Sequence, residues 1–257
     1  MKEIDQTLWA AIFESGNLRR AWKQVRANRG APGIDGRSVT DFPAWMREHW
    51  SEVRARLESG HYRPAPVRRV EIDKPSGGKR PLGIPTVLDR VIQQAIAQVL
   101  GNKVDGSFHP RSYGFRPGKS AHQAIKQVQA DFREGQAFAV DLDLEKFFDR
   151  VNHEVLLRLL RRRLHDPRVL RLIGHYLRSG VQLPEGRIEA TREGVPQGGP
   201  LCQRPPALPF GQRLRPLAIS LRSVRPYSPI SCSTSWTGNW TGAATASFVM
   251  RMTSLSS

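Results

Sequence analysis

The sequence has few cysteines and no long apolar run, and each absence excludes a class of protein. Its 257 residues include only Cys202 and Cys232, which are too few for a disulfide scaffold or a four-ligand zinc site. No stretch is apolar over the 18 residues that a membrane-spanning helix needs. The first residues, MKEIDQTLWAAIFESGNL, are too acidic for a signal peptide. We therefore expect a cytoplasmic protein with no membrane partner.

Acidic residues are missing from one part of the chain. All 23 lie in 1–202, whereas 203–257 contains six arginines and no Asp, Glu or Lys. The net charge of +17 thus divides into +11 for 1–202 and +6 for 203–257. Such an excess favours a polyanionic partner, nucleic acid above all. Residues 203–257 also lack a sustained apolar period, which is typical of a disordered basic tail.

The first 202 residues contain apolar patterns typical of helices and others typical of strands. Apolar spacing predicts helices over 5–28, 39–58, 86–100, 119–133, 153–163 and 167–179, and hairpins pairing 67–72 with 80–84 and 180–183 with 187–192. Asp166 and Pro167 suit the N-cap and first position of the last helix. This mixed order, without regular βα repeats, indicates an α+β fold.

Two acidic residues lie on a predicted strand. Residues 138–144 alternate, so Asp141 and Asp143 share the face opposite the apolar side chains, about 6–7 Å apart. They are either charges on a half-exposed strand or oxygen ligands for Mg²⁺ held on a rigid element. Two-metal phosphoryl transfer would require at least one further carboxylate nearby.

Two loops also have alternative interpretations. Lys74 and Arg80 flank a hairpin tip that is either simply solvated or positioned to bind a triphosphate. The glycines of 196–200 form an ordinary turn or allow a ligand close to the backbone. The chain has no P-loop pattern. Its histidines at 109, 122 and 153 lack metal-ligand spacing, so ordinary roles are expected for them.

Five segments, taken in order, resemble bacterial group II intron reverse transcriptases, also called maturases. They are NRGAPGIDG (28–36), VRRVEIDKPSGGKRPLGIPTVLDRVIQQAIAQVL (67–100), FHPRSYGFRPGKSAHQAI (108–125), AVDLDLEKFFDRVNH (139–153) and GVPQGGPL (194–201). The resemblance implies a right-hand fold with an N-terminal extension and first loop at 1–37, fingers at 38–118, a partial palm at 119–202 and an aberrant tail at 203–257.

The resemblance also implies an activity and partners. The family performs RNA-directed DNA synthesis with two Mg²⁺ ions and takes part in intron RNA binding and splicing. The implied partners are intron RNA, a DNA primer or target, and deoxynucleotides. Two alternatives stay open, a non-catalytic RNA-binding fragment and a retron-like or defence-associated reverse transcriptase.

Individual roles follow from the matching motifs. Asp143 would be the catalytic carboxylate and a metal ligand, and the carbonyl of Leu144 would touch the second metal; Asp141 would be a supporting acid. The nucleotide would be held by Lys74, Arg80, Phe148 and Gln197, with Phe148 under the sugar. Template or primer phosphates would contact Arg111, Arg116 and Lys119, and these contacts would weaken with salt.

The resemblance stops after Leu201. The family continues with a helix and a Tyr-Ala-Asp-Asp hairpin that carries the other metal carboxylates, and neither follows Cys202. Reading the codons one nucleotide out of frame forces Asp at Trp236–Thr237, at Trp240–Thr241 and at Met252–Thr253. The shifted frame can spell Tyr-Ala-Asp-Asp under 250–253. We therefore expect a frameshifted or rearranged gene and a catalytically inactive chain.

Overall fold

The computed structural model describes residues 6–73, 78–136, 144 and 147–196. The predicted strand at 138–143, with Asp141 and Asp143, lies outside the described residues, as do Lys74, Gln197 and the tail at 203–257. The side chain of Arg80 is likewise outside the described part. Within that part, no helix is both long and apolar enough to cross a membrane.

The N-terminal pattern forms two helices, where the sequence predicted one over 5–28. Helix α1 spans Gln6–Phe13 and α2 spans Ser15–Ala27, with Glu14 between them at φ −59° and ψ 138°. The break is stabilised by buried Asn17, whose amide donates to the carbonyls of Ile12 (2.9 Å) and Ala95 (3.0 Å). A carbonyl left open by the break therefore has a partner.

Helices α3 and α4 follow the predicted periods with shifted ends. Helix α3 spans Phe42–Glu58, starting three residues later than predicted, with Pro43 in its first turn. Helix α4 spans Val87–Asp105 and continues past the predicted end at residue 100. Thr86 caps α4 by accepting from the backbone of Asp89 (3.1 Å), which is the preferred chemistry of an N-cap.

Both predicted hairpins are present and share one four-stranded sheet in the order β2-β1-β3-β4. Strand β1 (Val67–Asp73) pairs antiparallel with β2 (Lys79–Ile84), and β3 (Val181–Gln182) pairs antiparallel with β4 (Ile188–Glu189). The hairpins are joined by parallel pairing of β1 with β3, in which Val67 lies opposite Val181. The alternation within each strand indicated the hairpins but not this long-range pairing.

The last helix is capped as the sequence indicated. Helix α5 spans Ala121–Arg133, α6 spans His153–Arg161 and α7 spans Pro167–Leu177, and a short 3₁₀ helix at Phe147–Arg150 precedes α6. Asp166 accepts from the backbone of Arg168 at 2.9 Å, which confirms the predicted cap. Its other oxygen accepts from the backbone of Trp9 at 3.2 Å, so the same carboxylate links α7 to α1.

The core lies between α1, α2, α4 and α7, with α3 against it. Its most deeply buried side chains are Ile12, Ala21, Val87, Ile92, Ala95, Leu164 and Val169. Helix α5 differs from its predicted amphipathic packing, because Ile125 and Phe132 are 47% and 51% exposed while Asp131 is buried. Asp131 is buried because Arg111 and Gln127 satisfy its oxygens at 3.0 Å each.

Candidate functional site

Two of the motifs meet at Gly194. The backbone N–H of Gly194 donates to the carbonyl of Val151 (2.8 Å), and that of Val195 donates to the carbonyl of Phe148 (2.7 Å). Nε2 of buried His153 lies 2.7 Å from the carbonyl of Gly194. Since a carbonyl oxygen can only accept, Nε2 carries the proton. Three hydrogen bonds therefore hold the start of the 194–201 motif against the end of the 139–153 motif.

Gly194 is required for this approach. Its φ of +82° lies in the left-handed region, and a Cβ added to it would lie 2.8 Å from the carbonyl oxygen of Asp149. A side chain at this position would be strained by its backbone conformation and would also clash with the neighbouring chain. The close contact explains a glycine at the start of this motif.

The β1–β2 hairpin reaches the same place through Gly83. A Cβ on Gly83 would lie 2.8 Å from Cβ of Pro196, so strand β2 packs directly on the residue before Gln197. Arg80 lies in β2 opposite Ile72, four residues from the tip. The hairpin, the Phe148 segment and the beginning of the glycine loop thus converge on one side of the molecule.

Phe148 is half-buried at this junction. Its ring packs edge-to-face on Phe147, with centroids 5.6 Å apart and planes at 74°, and its carbonyl is held by Val195 as described above. Leu144, the other described residue of its motif with an implied role, is 49% exposed. Phe148 is therefore held through its backbone, and its place under a nucleotide sugar stays a prediction.

A second buried group orients the hairpin and the start of α4. Asp89 accepts hydrogen bonds from the hydroxyls of Tyr62 (2.7 Å) and Thr86 (2.7 Å), the backbone of Ala65 (3.2 Å), and the hydroxyl of Tyr176 (3.2 Å). Burial raises the pKa of Asp89, and the four donors oppose that rise. Sequence reasoning missed this network, since Asp89 and Tyr176 are 87 positions apart.

The first family-like loop packs beside that network. Nη2 of Arg90 donates to the carbonyl of Ala31 at 2.9 Å, and a Cβ on Gly33 would lie 2.7 Å from Cα of Thr86. Burial lowers the pKa of Arg90, while nearby Asp35 acts in the opposite direction. The 28–36 and 67–100 motifs are therefore in direct contact, which their order alone did not indicate.

Arg116 is occupied by intramolecular bonds. Its guanidinium binds Asp105 through Nε at 2.7 Å and Nη2 at 3.1 Å, and also donates to the carbonyls of Asp105, His109 and Ser112. Its hydrogen bonds to Asp105 lower the pKa of that carboxyl and raise the pKa of Arg116. With the side chain only 9% exposed, the geometry shows a loop-organising role, and its phosphate contact stays a prediction.

Arg111 and Lys119 are more accessible. Arg111 is anchored to Asp131 at 3.0 Å while its side chain stays 49% exposed. Nζ of Lys119 donates to the carbonyl of Pro110 at 3.2 Å and lies 5.2 Å from the centroid of Tyr113. Both residues belong to the loop that Arg116 organises, so the structure brings the three predicted phosphate contacts into one loop region. Their contacts with nucleic acid stay predictions.

The described residues contain no metal cluster. Within 6–73, 78–136, 144 and 147–196, no three His, Cys, Asp or Glu side chains lie close enough to hold an ion. Asp141 and Asp143, to which the resemblance points, are outside those ranges. The described residues therefore do not by themselves fit a metal centre.

Comparison with known proteins defines the class. A family model described as "Reverse transcriptase (RNA-dependent DNA polymerase)" matches residues 72–202, which contain the hairpin, the Phe148 segment and the Gly194 junction. The chain belongs to this family. The predicted α+β, right-hand reverse transcriptase fold is thereby confirmed, as is RNA-directed DNA polymerase as the family's activity.

The relatives indicate which reverse transcriptases the chain resembles, those of group II introns. The chain is 37% identical over 200 residues to "Protein YkfC" of Escherichia coli (strain K12), covering 76% of this chain and 52% of the relative. It is 34% identical over 200 residues to "Group II intron-encoded protein LtrA" of Lactococcus lactis subsp. cremoris, covering 77% and 33%. The predicted group II intron reverse transcriptase class is confirmed.

Solved structures give weaker similarity. A chain of the "Partial Cas6-RT-Cas1--Cas2 complex" matches with a TM-score of 0.49 and 24% identity, covering 77% of this chain and 33% of that chain. The family assignment rests on the sequence matches and not on this likeness. The chain spans about half or less of the length of the curated relatives described above.

Proposed function

We propose that residues 1–202 are the fingers and part of the palm of a group II intron reverse transcriptase that acts on intron RNA, a DNA primer or target, and deoxynucleotides. The observation that supports this best is the convergence of the hairpin, the Phe148 segment and Pro196 at Gly194. The domain limits proposed from the sequence, at 37, 118 and 202, accompany this assignment. The family match ends at residue 202, and no acidic residue follows that point.

The nucleotide site proposed from the motifs would lie beside that junction. Lys74 and Arg80 would bind the triphosphate, Phe148 would pack under the sugar, and Gln197 would line the pocket. Asp143 and the carbonyl of Leu144 would hold Mg²⁺, which supplies charge stabilisation for phosphoryl transfer when it is bound. Support comes from Phe148, which is fixed by Val195, and from the contact of β2 with Pro196.

This chain itself is proposed to be inactive in DNA synthesis. A two-metal site needs several carboxylates, and the motif that would supply the others is not spelled in the frame that is translated. A primer-extension assay with poly(A) template, oligo(dT) primer, dTTP and Mg²⁺ tests this on the full chain. We expect no product above background, and synthesis that is abolished by Asp143→Ala would overturn the proposal.

The reading frame can be tested directly. We propose that 203–257 is translated one nucleotide out of the ancestral frame, a proposal based on the forced Asp codons. Nucleotide sequencing of the locus should show Tyr-Ala-Asp-Asp in the neighbouring frame under residues 250–253. Any other four residues there would end this explanation.

A fragment without synthesis could still bind RNA, and the charge of +11 on residues 1–202 favours this second function. Binding would be measured as the ratio of affinities for a group II intron RNA and an unrelated RNA of equal length. A clear preference for the intron RNA supports the intron assignment. Equal affinities would favour the retron-like or defence-associated alternative, or a fragment without function.

A further inference from the structure

One face of α7 carries a basic side chain at every turn. Arg168, Arg171, His175 and Arg178 follow one another at intervals of three or four residues, which places them on the same side of the helix and its C-cap. The interposed apolar residues, among them Val169, Leu172 and Leu177, are buried. The basic face covers about 15 Å along the helix.

The charges on this face have few acidic partners. Between Glu154 and Glu185 the chain contains seven arginines and one acidic residue, Asp166. Asp166, the buried cap of α7, pairs with Arg168 at 3.4 Å, so it compensates that one arginine of the face. Some exposed arginines elsewhere do pair with carboxylates, such as Arg56 with Glu52 at 3.7 Å and Arg187 with Glu189 at 2.7 Å.

No carboxylate of a described residue lies within ion-pairing distance of Arg171 or Arg178. The same holds for Arg158 and Arg161 on α6. Glu154 is one turn before Arg158, yet no ion pair joins them among the described residues. Within the described ranges, these arginines therefore have no carboxylate partner that would compete with an external anion.

Two concave regions lie along this surface. A cavity of about 50 Å³ beside α7 is lined by Ser59, Gly60, Arg168, Arg171 and His175, among others. Its one acidic lining residue, Glu58, is paired with Arg54 at 2.7 Å. Apart from Glu58, the charged residues that line this cavity are therefore basic.

A larger concavity of about 440 Å³ lies beside α6 and shares Arg178 with the α7 face. Arg158 and Arg161 also line it. Glu154 is the acidic residue in its lining. Since Arg178 belongs to both the α7 face and this concavity, the arginines of α6 and α7 adjoin one another and form a basic surface. We call it the α6–α7 surface.

Arg63 adds another positive charge beside His175 of this surface. Nη1 of Arg63 lies 3.4 Å from Nδ1 of His175. Because an arginine N–H can only donate, Nδ1 accepts and the imidazole is neutral. Burial, followed by the charge of Arg63, lowers the pKa of His175, and Arg171 and Arg178 act in the same direction.

We propose that the α6–α7 surface binds the phosphate backbone of a structured RNA. Guanidinium groups bind phosphate oxygens in forked geometry, and folded RNA is recognised largely through its shape and phosphates. The inference rests on the proposed function for the choice of RNA over DNA. It assigns the contact to helices outside the nucleotide site proposed above.

The test compares two double variants with equal loss of charge. Arg171→Gln with Arg178→Gln removes unpaired arginines of the surface, whereas Arg56→Gln with Arg187→Gln removes paired arginines elsewhere. Anisotropy of a labelled RNA hairpin and of a DNA duplex is recorded from 50 to 200 mM KCl on the full chain. Thermal melting checks that each variant is folded.

We expect the surface variant to bind the RNA about tenfold more weakly, with a log–log salt slope reduced by roughly 2. The control should stay within about twofold of the parent. Equal losses in both variants, or no loss in either, would overturn the proposal. A loss for DNA as large as that for RNA would overturn the assignment to RNA.

The outcomes separate this inference from the proposed function. If the parent chain prefers intron RNA and the surface variant binds it unchanged, the α6–α7 surface is excluded while the intron assignment stands. If the parent shows no preference for intron RNA and the surface variant still loses affinity selectively, the surface is supported and the intron assignment fails.

Discussion

His153 and Gly194 are 41 positions apart, yet Nε2 of the buried imidazole lies 2.7 Å from the glycine carbonyl. This contact joins the end of one family motif to the beginning of another. It also gives His153 the ordinary structural role expected from its spacing in the sequence. The imidazole acts through the backbone of 194–195, which itself holds Phe148.

Replacing His153 by alanine removes this donor and leaves the carbonyl of Gly194 without it. We expect the free energy of unfolding to fall by about 1–3 kcal/mol, as measured by urea denaturation. His122→Ala is a suitable control, because His122 is exposed on α5. Equal unfolding midpoints for the two variants would contradict the structural role.

Gly194→Ala tests the close approach of the two motifs. The new methyl group would meet the carbonyl oxygen of Asp149 at 2.8 Å, and the residue would keep a φ of +82°. Gly186→Ala is a matched control, with a φ of +89° and nothing within 4 Å. We expect Gly194→Ala to cost about 1–3 kcal/mol more than the control. Similar costs would show that backbone conformation alone matters.

Asp89→Asn tests the buried network. The carboxylate accepts four hydrogen bonds, whereas an asparagine has one acceptor oxygen and an amide that cannot accept from Tyr62 or Thr86. We expect a loss of about 2–4 kcal/mol in unfolding free energy despite removal of a buried charge. Tyr62→Phe, which removes one donor, should cost less. The opposite order would contradict this account.

His175 should make stability depend on pH in a defined direction. Its pKa is lowered in the folded chain by burial and by Arg63, so the unfolded chain binds protons more readily below about pH 6.5. The contribution of neutral His175 to the free energy of unfolding is complete above that pH, and it is lost as the pH falls through the lowered pKa of the folded chain. His175→Gln should lose less stability than the parent between pH 7.5 and 5, and parallel urea curves would refute this.

Variants of Arg116 and Arg111 should distinguish a structural role from a role in nucleic-acid binding. Arg116→Ala removes a nearly buried guanidinium that bonds Asp105 and three carbonyls, so it should lower the melting temperature. Arg111→Gln removes the charge of a half-exposed side chain but keeps an amide donor for buried Asp131, so it should weaken nucleic-acid binding with a smaller thermal effect. Melting curves and nucleic-acid anisotropy on both variants check this. A larger thermal loss for the Arg111 variant, with a larger binding loss for the Arg116 variant, would contradict these roles.

Local patterns predicted much of the fold. The hairpin at 67–84, the Asp166 cap and the periods of α4 and α7 depend on residues close together in the chain, and the structure confirms them. Local spacing did not predict the break at Glu14, because a distant carbonyl on α4 satisfies Asn17. The apolar spacing of 119–133 likewise did not indicate that Ile125 and Phe132 are about half exposed on α5.

The sequence by itself determined the family, through five motifs in order, and the elements in which they lie. The contacts between motifs are visible only in the folded chain: Gly194 lies against Asp149, Gly83 against Pro196 and Gly33 against Thr86. The tertiary structure also separated occupied cations such as Arg116 from those such as Arg171 that have no carboxylate partner within the described ranges. The reason is that hydrogen bonds and ion pairs act over a few ångströms in space, whatever the separation along the chain.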